Sequence, residues 1–355
     1  IHTNRQRRSI AMSFSIKSFE AKAGDRSGTA FELYDDAGTV RAEVWPMCGF
    51  NCLRWQVRQA DGTWGSVLYT APDWETNPVP TRSGHPILFP FPGRLRDGRL
   101  EANGQTYQLP LNDSTKQHAI HGFTPRNPWR TDSMSATSDS ASIEGIFDLQ
   151  HDLPSAAGLW PEFTLKVTYR LSVDRLAVDA RVENRGAESL PFGLGYHPYF
   201  RLPGVADADV GGHVLQANMS KLWEADANNL PTGTLVDLPA EVNFRQPRPI
   251  GAAALDHIFT VSCPSLTLPP REEKNRELAM LSHPNTPGRL RIMADAAFRE
   301  LVLFTPAHRQ AVAIEPYTCS ADASHLAARG IDSGWRTLAP GEVWQGRVEY
   351  RWERQ

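Results

Sequence analysis

Two segments of the 355-residue sequence place an ionisable side chain after small residues at every second position. Gly193 and Gly195 precede His197, and two alanines precede Glu315 with the same spacing. Because side chains two positions apart lie on one face of a strand, each pattern predicts an open trough beside the ionisable group. A histidine or carboxylate of this kind, taken singly, is more often a satisfied core or strand residue. The repetition instead favours a ligand site with two titratable groups, since a glycine face often marks close approach of a ligand.

A third cluster of polar residues lies between His85 and His121 and includes His118 and Arg94. His118 and His121 form an H-x-x-H pair, which could begin a metal site. No third ligand follows at a recognised spacing, so we expect no metal here. The alternative is recognition of a neutral ligand by imidazoles and a guanidinium, which supply directional donors and acceptors.

The elements that must position these residues are predicted to be strands. The 27 prolines and 26 glycines are spread along the chain and divide it into short segments of period-two alternation. A hairpin is predicted from Phe163 to Val182, a final strand from Trp344 to Trp352, and a short helix from Ala321 to Arg329. We therefore expect an all-β protein, a single large antiparallel β-sandwich with few short helices. Residues 72–86, 131–142 and 264–288 are expected to be surface loops that could form a rim or lid around a site.

Composition limits the classes of partner. The 37 basic and 40 acidic side chains give a formal net charge of −3, so no global field favours nucleic acid or an anionic membrane. No run approaches the roughly 18 apolar residues of a membrane span. The four cysteines, Cys48, Cys52, Cys263 and Cys319, are too few and scattered for a disulfide framework, which favours reduced thiols in the cytoplasm. Residues 1–13 are expected to be a disordered or non-native leader, and residues 14–355 one domain.

Several motif blocks resemble the aldose 1-epimerase, or galactose mutarotase, family. They occur in the family's order over roughly residues 28–353, and they are Pro90–Arg94, Asn103–Pro110, His121–Phe123, Gly195–Phe200, Ile314–Thr318 and Leu338–Glu342. The resemblance implies a galactose mutarotase-like supersandwich. It also implies a cofactor-free interconversion of the α and β anomers of a free aldose sugar.

The resemblance implies roles for single residues. His197 would protonate the ring oxygen, Glu315 would take the C1 hydroxyl proton, and Arg94, His121 and Asp256 would bind the substrate. The reference pKa is about 6.5 for a histidine and about 4.3 for a glutamate. These values make a cationic histidine acid and an anionic glutamate base compatible near neutral pH. One departure concerns Gly93, where the family often has Asn, and His118 is a candidate to fill part of that role.

Three other functions remain open at this point. A hexose-6-phosphate 1-epimerase would need extra cations at the pocket, which Arg82, Arg94, Arg96 and Arg126 could provide. A glycoside hydrolase would use two carboxylates, Glu315 and Asp256, but would leave the histidine without a task. A catalytically silent sugar-binding sandwich would have no need of the acid and base pair.

Overall fold

The computed structural model describes residues 13–205, 209–261, 275–286 and 288–354. The expected leader, apart from Ser13, lies outside these residues, and so does Cys263. The α-helices are α1 (Leu149–Asp152) and α2 (Ala323–Ala328). The strands in chain order are β1 (Phe14–Ala23), β2 (Arg26–Asp35), β3 (Val40–Trp45), β4 (Asn51–Arg58), β5 (Trp64–Ser66), β6 (Ile87–Leu88), β7 (Arg94–Leu95), β8 (Arg99–Ala102), β9 (Gln105–Gln108), β10 (Ala119–Ile120), β11 (Arg130–Ala136), β12 (Ala141–Asp148), β13 (Phe163–Ser172), β14 (Arg175–Asn184), β15 (Leu190–Phe192), β16 (Gly195–Tyr196), β17 (Tyr199–Phe200), β18 (Val214–Ala217), β19 (Met219–Ala225), β20 (Pro231–Val236), β21 (Arg248–Pro249), β22 (Asp256–Val261), β23 (Asn275–Ser282), β24 (Gly288–Asp295), β25 (Glu300–Phe304), β26 (Val312–Tyr317), β27 (Arg336–Leu338) and β28 (Val343–Arg354).

Three large antiparallel sheets organise these strands. One is the meander β1-β2-β3-β4-β5, and the second has nine strands in the order β11-β12-β13-β14-β28-β24-β23-β18-β21. The third, called here the site sheet, has the order β20-β19-β22-β25-β26-β16-β6, with β17 also paired to β26. The expectation of an all-β, antiparallel sandwich with few short helices is confirmed.

The core lies between the inner faces of these sheets. Alternate residues of β13 and β14 are buried, as period-two spacing requires, and their apolar side chains join one hydrophobic cluster with those of the site sheet. Aromatic contacts cross the layers: Phe200 packs on Tyr350 with ring centroids 5.4 Å apart, and Phe192 packs on Trp344 at 5.6 Å. Burying large rings contributes strongly to stability. The expectation of one domain over residues 14–355 stays a prediction.

The predicted hairpin, final strand and short helix are confirmed as β13–β14, β28 and α2. Two of the three loop predictions are wrong in part. Residues 131–142 contain most of β11, the turn and the first two residues of β12, because exposed serines and threonines are compatible with the solvent side of an edge strand. Within 264–288, the described residues include β23, which pairs with both β18 and β24.

The glycine trough beside His197 is not open, which corrects the sequence interpretation. A Cβ at Gly193 would lie 2.2 Å from the Cys319 sulfur, and one at Gly195 would lie 2.6 Å from both Pro92 and the ring of Tyr317. The matching alanines before Glu315 are buried against Tyr69 and Tyr199. These small residues therefore leave room for side chains of neighbouring segments to pack against the strand. Glycine in a strand often marks such a close approach.

Replacement of Gly195 by alanine should test this packing. We expect Gly195→Ala to lower the free energy of unfolding by about 1–3 kcal/mol, because the rigid Pro92 and Tyr317 rings must move. Urea unfolding would measure the loss. Gly28→Ala is the matched control, since its Cβ would meet nothing closer than 3.7 Å. Equal stability of the two variants would contradict the account.

Candidate active site

A pocket of about 600 Å³ lies on the face of the site sheet that points away from the core. On β25 and β26, Leu301, Leu303 and Ile314 point to the core, whereas Val302 and Glu315 point to the pocket and face each other in the strand register. The other walls come from residues 93–94 at the start of β7, from residues 112–126 before and after β10, from residues 222–231 of β19 and the turn after it, and from the start of β22. The residues that line the pocket include Thr81, Gly93, Arg94, Asn112, Asp113, His121, Arg126, His197, Tyr199, Trp223, Asn229, Asp256, Phe304, Glu315 and Tyr317.

His197 and Glu315 meet at the floor of this pocket. The Nε2 atom of His197 lies 3.4 Å from Oε1 of Glu315, and both side chains are buried. His197 stands between β16 and β17, where Pro198 interrupts the strand, and its backbone N–H donates to the carbonyl of Pro86. Pairing of β16 and β17 with β26 brings the two segments together.

Burial changes the protonation expected from reference values. It lowers the pKa of His197 to about 3 and raises the pKa of Glu315 well above its usual range. Both shifts have the same cause, because an environment poor in water disfavours the charged form. Burial thus favours a neutral imidazole beside a protonated carboxyl, rather than the cation and anion inferred from the sequence.

Two tyrosines that the sequence interpretation did not select contact this pair. The hydroxyl of Tyr317 donates to Oε2 of Glu315 at 2.7 Å, and the hydroxyl of Tyr199 lies 3.2 Å from Nε2 of His197. A signal for them was present in the sequence. Each follows its ionisable residue by two positions, as His-Pro-Tyr and Glu-Pro-Tyr.

His121 is held by reciprocal hydrogen bonds to Gly93. The N–H of Gly93 donates to Nδ1 of His121 at 3.2 Å, and the N–H of His121 donates to the carbonyl of Gly93 at 2.9 Å. Nδ1 is therefore an acceptor, so the neutral ring carries its hydrogen on Nε2. Burial, followed by the neighbouring His197 and two arginines, lowers the pKa of His121 well below its usual value.

The absence of a side chain at Gly93 has a steric reason. Its φ is +68°, and a Cβ would lie 2.6 Å from the Cβ of Ala321. An asparagine at this position would therefore require the chain around Ala321 to move. Glycine at this position therefore fits the close approach of Ala321, and it contributes no side chain to the pocket.

Of the remaining residues selected from the sequence, Arg94 and Asp256 line the pocket and His118 does not. Arg94 lies 3.7 Å from the carboxylate of Asp113. Burial raises the pKa of Asp113, but hydrogen bonds from Thr115 and from backbone N–H groups lower it to about 2. His118 is buried behind this loop, and its Nδ1 accepts the backbone N–H of Asp97. The suggestion that His118 contacts substrate is thus not supported by its position.

The four arginines considered for a phosphate differ in their partners. Arg82 pairs with Asp73, and Arg96 pairs with Asp226 and Asp322. Arg126 lines the pocket, donates to the carbonyl of Ile120, and has no carboxylate partner among the residues that the structure describes. Burial accordingly lowers its pKa. Arg126 is the guanidinium in this pocket whose charge is not balanced by an ion pair.

One wall of the pocket depends on a buried carboxyl. The indole N–H of Trp223, on β19, donates to Oε2 of Glu300 at 3.0 Å. Burial raises the pKa of Glu300 to about 8, although the Trp223 hydrogen bond and the nearby Arg299 lower it. Glu300 therefore anchors an aromatic side chain whose position shapes the pocket.

Over the described residues, no group of three or more His, Cys, Asp or Glu side chains is arranged to hold a metal ion. The same residues include no helix that is long and apolar enough to cross a membrane.

Comparison with known structures defines the class of fold. A galactose mutarotase-like protein from Clostridium acetobutylicum superposes with a TM-score of 0.81 at 23% identity, over 97% of this chain and 99% of that one. Galactose 1-epimerase from Lactobacillus acidophilus superposes with a TM-score of 0.70 at 20% identity, over 96% of this chain and 98% of the other. The protein has a galactose mutarotase-like fold.

The sequence comparison gives the family. The family model for aldose 1-epimerase matches residues 48–351, and the chain belongs to the aldose 1-epimerase family. Two Escherichia coli proteins without an assigned function are similar to it. YihR is 26% identical over 247 residues, which is 69% of this chain and 72% of YihR. YphB is 31% identical over 163 residues, which is 46% of this chain and 50% of YphB.

The raised pKa of Glu300 predicts a pH-dependent stability. The folded protein keeps a proton up to about pH 8 that the unfolded chain releases near pH 4.3. Stability from this group is therefore full below about pH 4 and is lost as the pH rises through 8, with a slope of up to about 1.4 kcal/mol per unit. We expect Glu300→Gln to lose less stability than wild type between pH 5 and 9 in urea unfolding. The exposed Glu101→Gln should behave as wild type, and identical slopes for all three proteins would refute the assignment.

Proposed function

We propose that the protein is an aldose 1-epimerase that interconverts the α and β anomers of a free aldohexose. The observation that carries the proposal is the 3.4 Å approach of His197 Nε2 to Glu315 Oε1 in a pocket of about 600 Å³. That volume lies in the range of small-molecule sites. An imidazole and a carboxyl side by side can remove one proton and deliver another at neighbouring oxygens of one sugar.

In the proposed reaction His197 and Glu315 share one transferable proton, and His197 holds it before the ring opens. Glu315 takes the proton of the C1 hydroxyl while the Nε2–H of His197 protonates the ring oxygen. The bond from C1 to the ring oxygen breaks and C1 becomes a carbonyl carbon. Rotation about C1–C2 and reversal of both transfers closes the ring with the other configuration. No covalent intermediate and no redox step is required.

The supporting roles follow from the positions of the side chains. The Nε2–H of His121 is a neutral donor for a sugar oxygen, and Arg94 and Asp256 are held by Asp113 and Asn229. A glycoside hydrolase is disfavoured because the partner of Glu315 is an imidazole rather than a second carboxylate. A silent binder would have no use for the pair. Three free, buried cysteines, Cys48, Cys52 and Cys319, support a cytoplasmic location.

Replacement of either member of the pair should slow the reaction. We expect His197→Asn and Glu315→Gln each to lower kcat by about 10²–10⁴-fold, because each removes one positioned proton carrier. Polarimetry of freshly dissolved α-D-glucose and α-D-galactose measures the rate. The exposed His151→Asn and Glu101→Gln are matched controls that should retain wild-type rates. Unchanged kcat in the pocket variants would refute the assignment.

A second candidate, epimerisation of a sugar that carries an anionic group such as a 6-phosphate, is favoured by one observation. Arg126 brings an unpaired guanidinium to the pocket. Arg94, by contrast, is close to Asp113, and Arg82 and Arg96 are occupied by carboxylates. One free guanidinium is a weak site for a phosphate dianion, which usually takes several charge-assisted hydrogen bonds.

The two substrate classes can be separated by rate. We expect kcat/KM for glucose or galactose to exceed that for glucose 6-phosphate, and Arg126→Gln to affect the neutral sugars little. Arg126→Lys, which keeps the charge, serves as the control. A preference for the phosphate that Arg126→Gln abolishes and Arg126→Lys keeps would select the second candidate.

A further inference from the structure

A series of polar contacts runs through His197 and Glu315, with a tyrosine hydroxyl beside each of them. From one end, the carbonyl of Thr81 accepts from the hydroxyl of Tyr199, which lies 3.2 Å from His197 Nε2. Nε2 faces Oε1 of Glu315, whose Oε2 accepts from the hydroxyl of Tyr317. All four side chains are buried and line the pocket.

The Tyr199 hydroxyl determines the tautomer of His197. A phenol has a single hydrogen, and that of Tyr199 is donated to Thr81. Toward His197 the oxygen can therefore only accept, which places a hydrogen on Nε2. The rings of His197 and Tyr199 are stacked, with centroids 4.6 Å apart and planes 15° apart, so the imidazole is also held in orientation.

The Tyr317 hydroxyl selects between the two oxygens of Glu315. At 2.7 Å from Oε2 it occupies that oxygen as a donor, which leaves Oε1 beside Nε2 of His197. Its own position is fixed by packing, because Tyr317 is buried with Leu88 and Val302. A donor in this position stabilises the carboxylate form over the protonated form.

We propose that Tyr199 and Tyr317 are positioning residues that orient His197 and Glu315 and increase the share of the charged form from which ring opening starts. The inference rests on the proposed epimerase function. Burial favours the uncharged forms of both groups, whereas ring opening starts from an imidazolium and a carboxylate. A hydrogen bond to an ionised group is roughly twice as strong as one between neutral groups, so both hydroxyls favour the imidazolium–carboxylate form.

Other groups face the pair and do not replace the tyrosines. Asp256 on β22 disfavours the Glu315 carboxylate, and His121 with its neighbouring arginines adds no negative charge near His197. Tyr350 on β28 interacts electrostatically with Glu315, but its hydroxyl lies 2.8 Å from Nε2 of His85. The hydroxyl of Tyr199 thus acts on His197, and the hydroxyl of Tyr317 acts on Glu315.

The test compares Tyr199→Phe and Tyr317→Phe with Tyr69→Phe. Tyr69 is the matched control, since it is buried in the same cluster as Tyr199 and its hydroxyl lies 3.1 Å from Gln310, outside the pocket lining. We expect each pocket variant to lower kcat for anomer exchange about tenfold with KM changed less than twofold. Tyr69→Phe should leave both unchanged, and thermal unfolding checks that all three variants fold.

Two readouts separate positioning from a structural role. Because the pKa of Glu315 lies above that of His197, the last proton leaves the pair from Glu315, and the alkaline limb of the pH dependence of kcat reports that loss. In Tyr317→Phe this limb should move upward, because Glu315 loses a donor that lowers its pKa. In ¹⁵N NMR of labelled histidines, His197 should carry its hydrogen on Nε2 in wild type and lose that preference in Tyr199→Phe. Pocket variants with the kcat, pH profile and tautomer of Tyr69→Phe would overturn the inference.

The proposed function can fail separately. If His197→Asn and Glu315→Gln retain full activity, the epimerase assignment fails, whereas the NMR measurement on the full-length protein still decides whether Tyr199 sets the tautomer. If Tyr199→Phe does not fold, the pH profile of Tyr317→Phe decides the inference: an unshifted limb overturns it.

Discussion

The antiparallel pairing of β26 with β16 and β17 is the constraint on which the site depends. It brings a residue near position 197 next to one near position 315, and β25 beside β26 sets which side chains share the pocket face. A slip of one residue in β26 would turn Glu315 into the core and Ile314 into the pocket. The glycines before His197 protect this register, because they allow Pro92, Cys319 and Tyr317 to pack where side chains would otherwise stand.

The same arrangement creates an electrostatic conflict. The sheet buries an imidazole and a carboxyl beside each other, and burial disfavours the charged form of both. Each surrounding polar contact therefore acts on one ionisable group. Tyr317 donates to Glu315, and Tyr199 accepts from His197. The N–H of Gly93 sets the tautomer of His121. The pocket combines buried ionisable groups with directed hydrogen bonds, which is the arrangement that preorganised electrostatic stabilisation requires.

Much of the fold could be predicted from local patterns. Alternation of apolar residues located β13, β14 and β28, and a glycine stop located the end of α2, because these features depend on neighbours along the chain. The β11–β12 hairpin and β23 were assigned to loops, since their polar composition resembles a loop until pairing partners are known. The troughs beside His197 and Glu315 were inferred to be open, and only the packed structure shows which side chains fill them.

The sequence by itself determined the fold class, the family and the two residues proposed for proton transfer, because these depend on residue type and spacing within short segments. The tertiary structure decided that His118 stands behind the pocket and that Tyr199 and Tyr317 contact His197 and Glu315. It also decided that Arg126 lines the pocket without a carboxylate partner among the described residues. It buries His197 and Glu315 as well, and burial favours their uncharged forms where reference pKa values favour the charged ones. The reason is physical: burial, ion pairing and tautomer depend on atoms contributed by strands far apart in the chain, and local spacing carries no information about them.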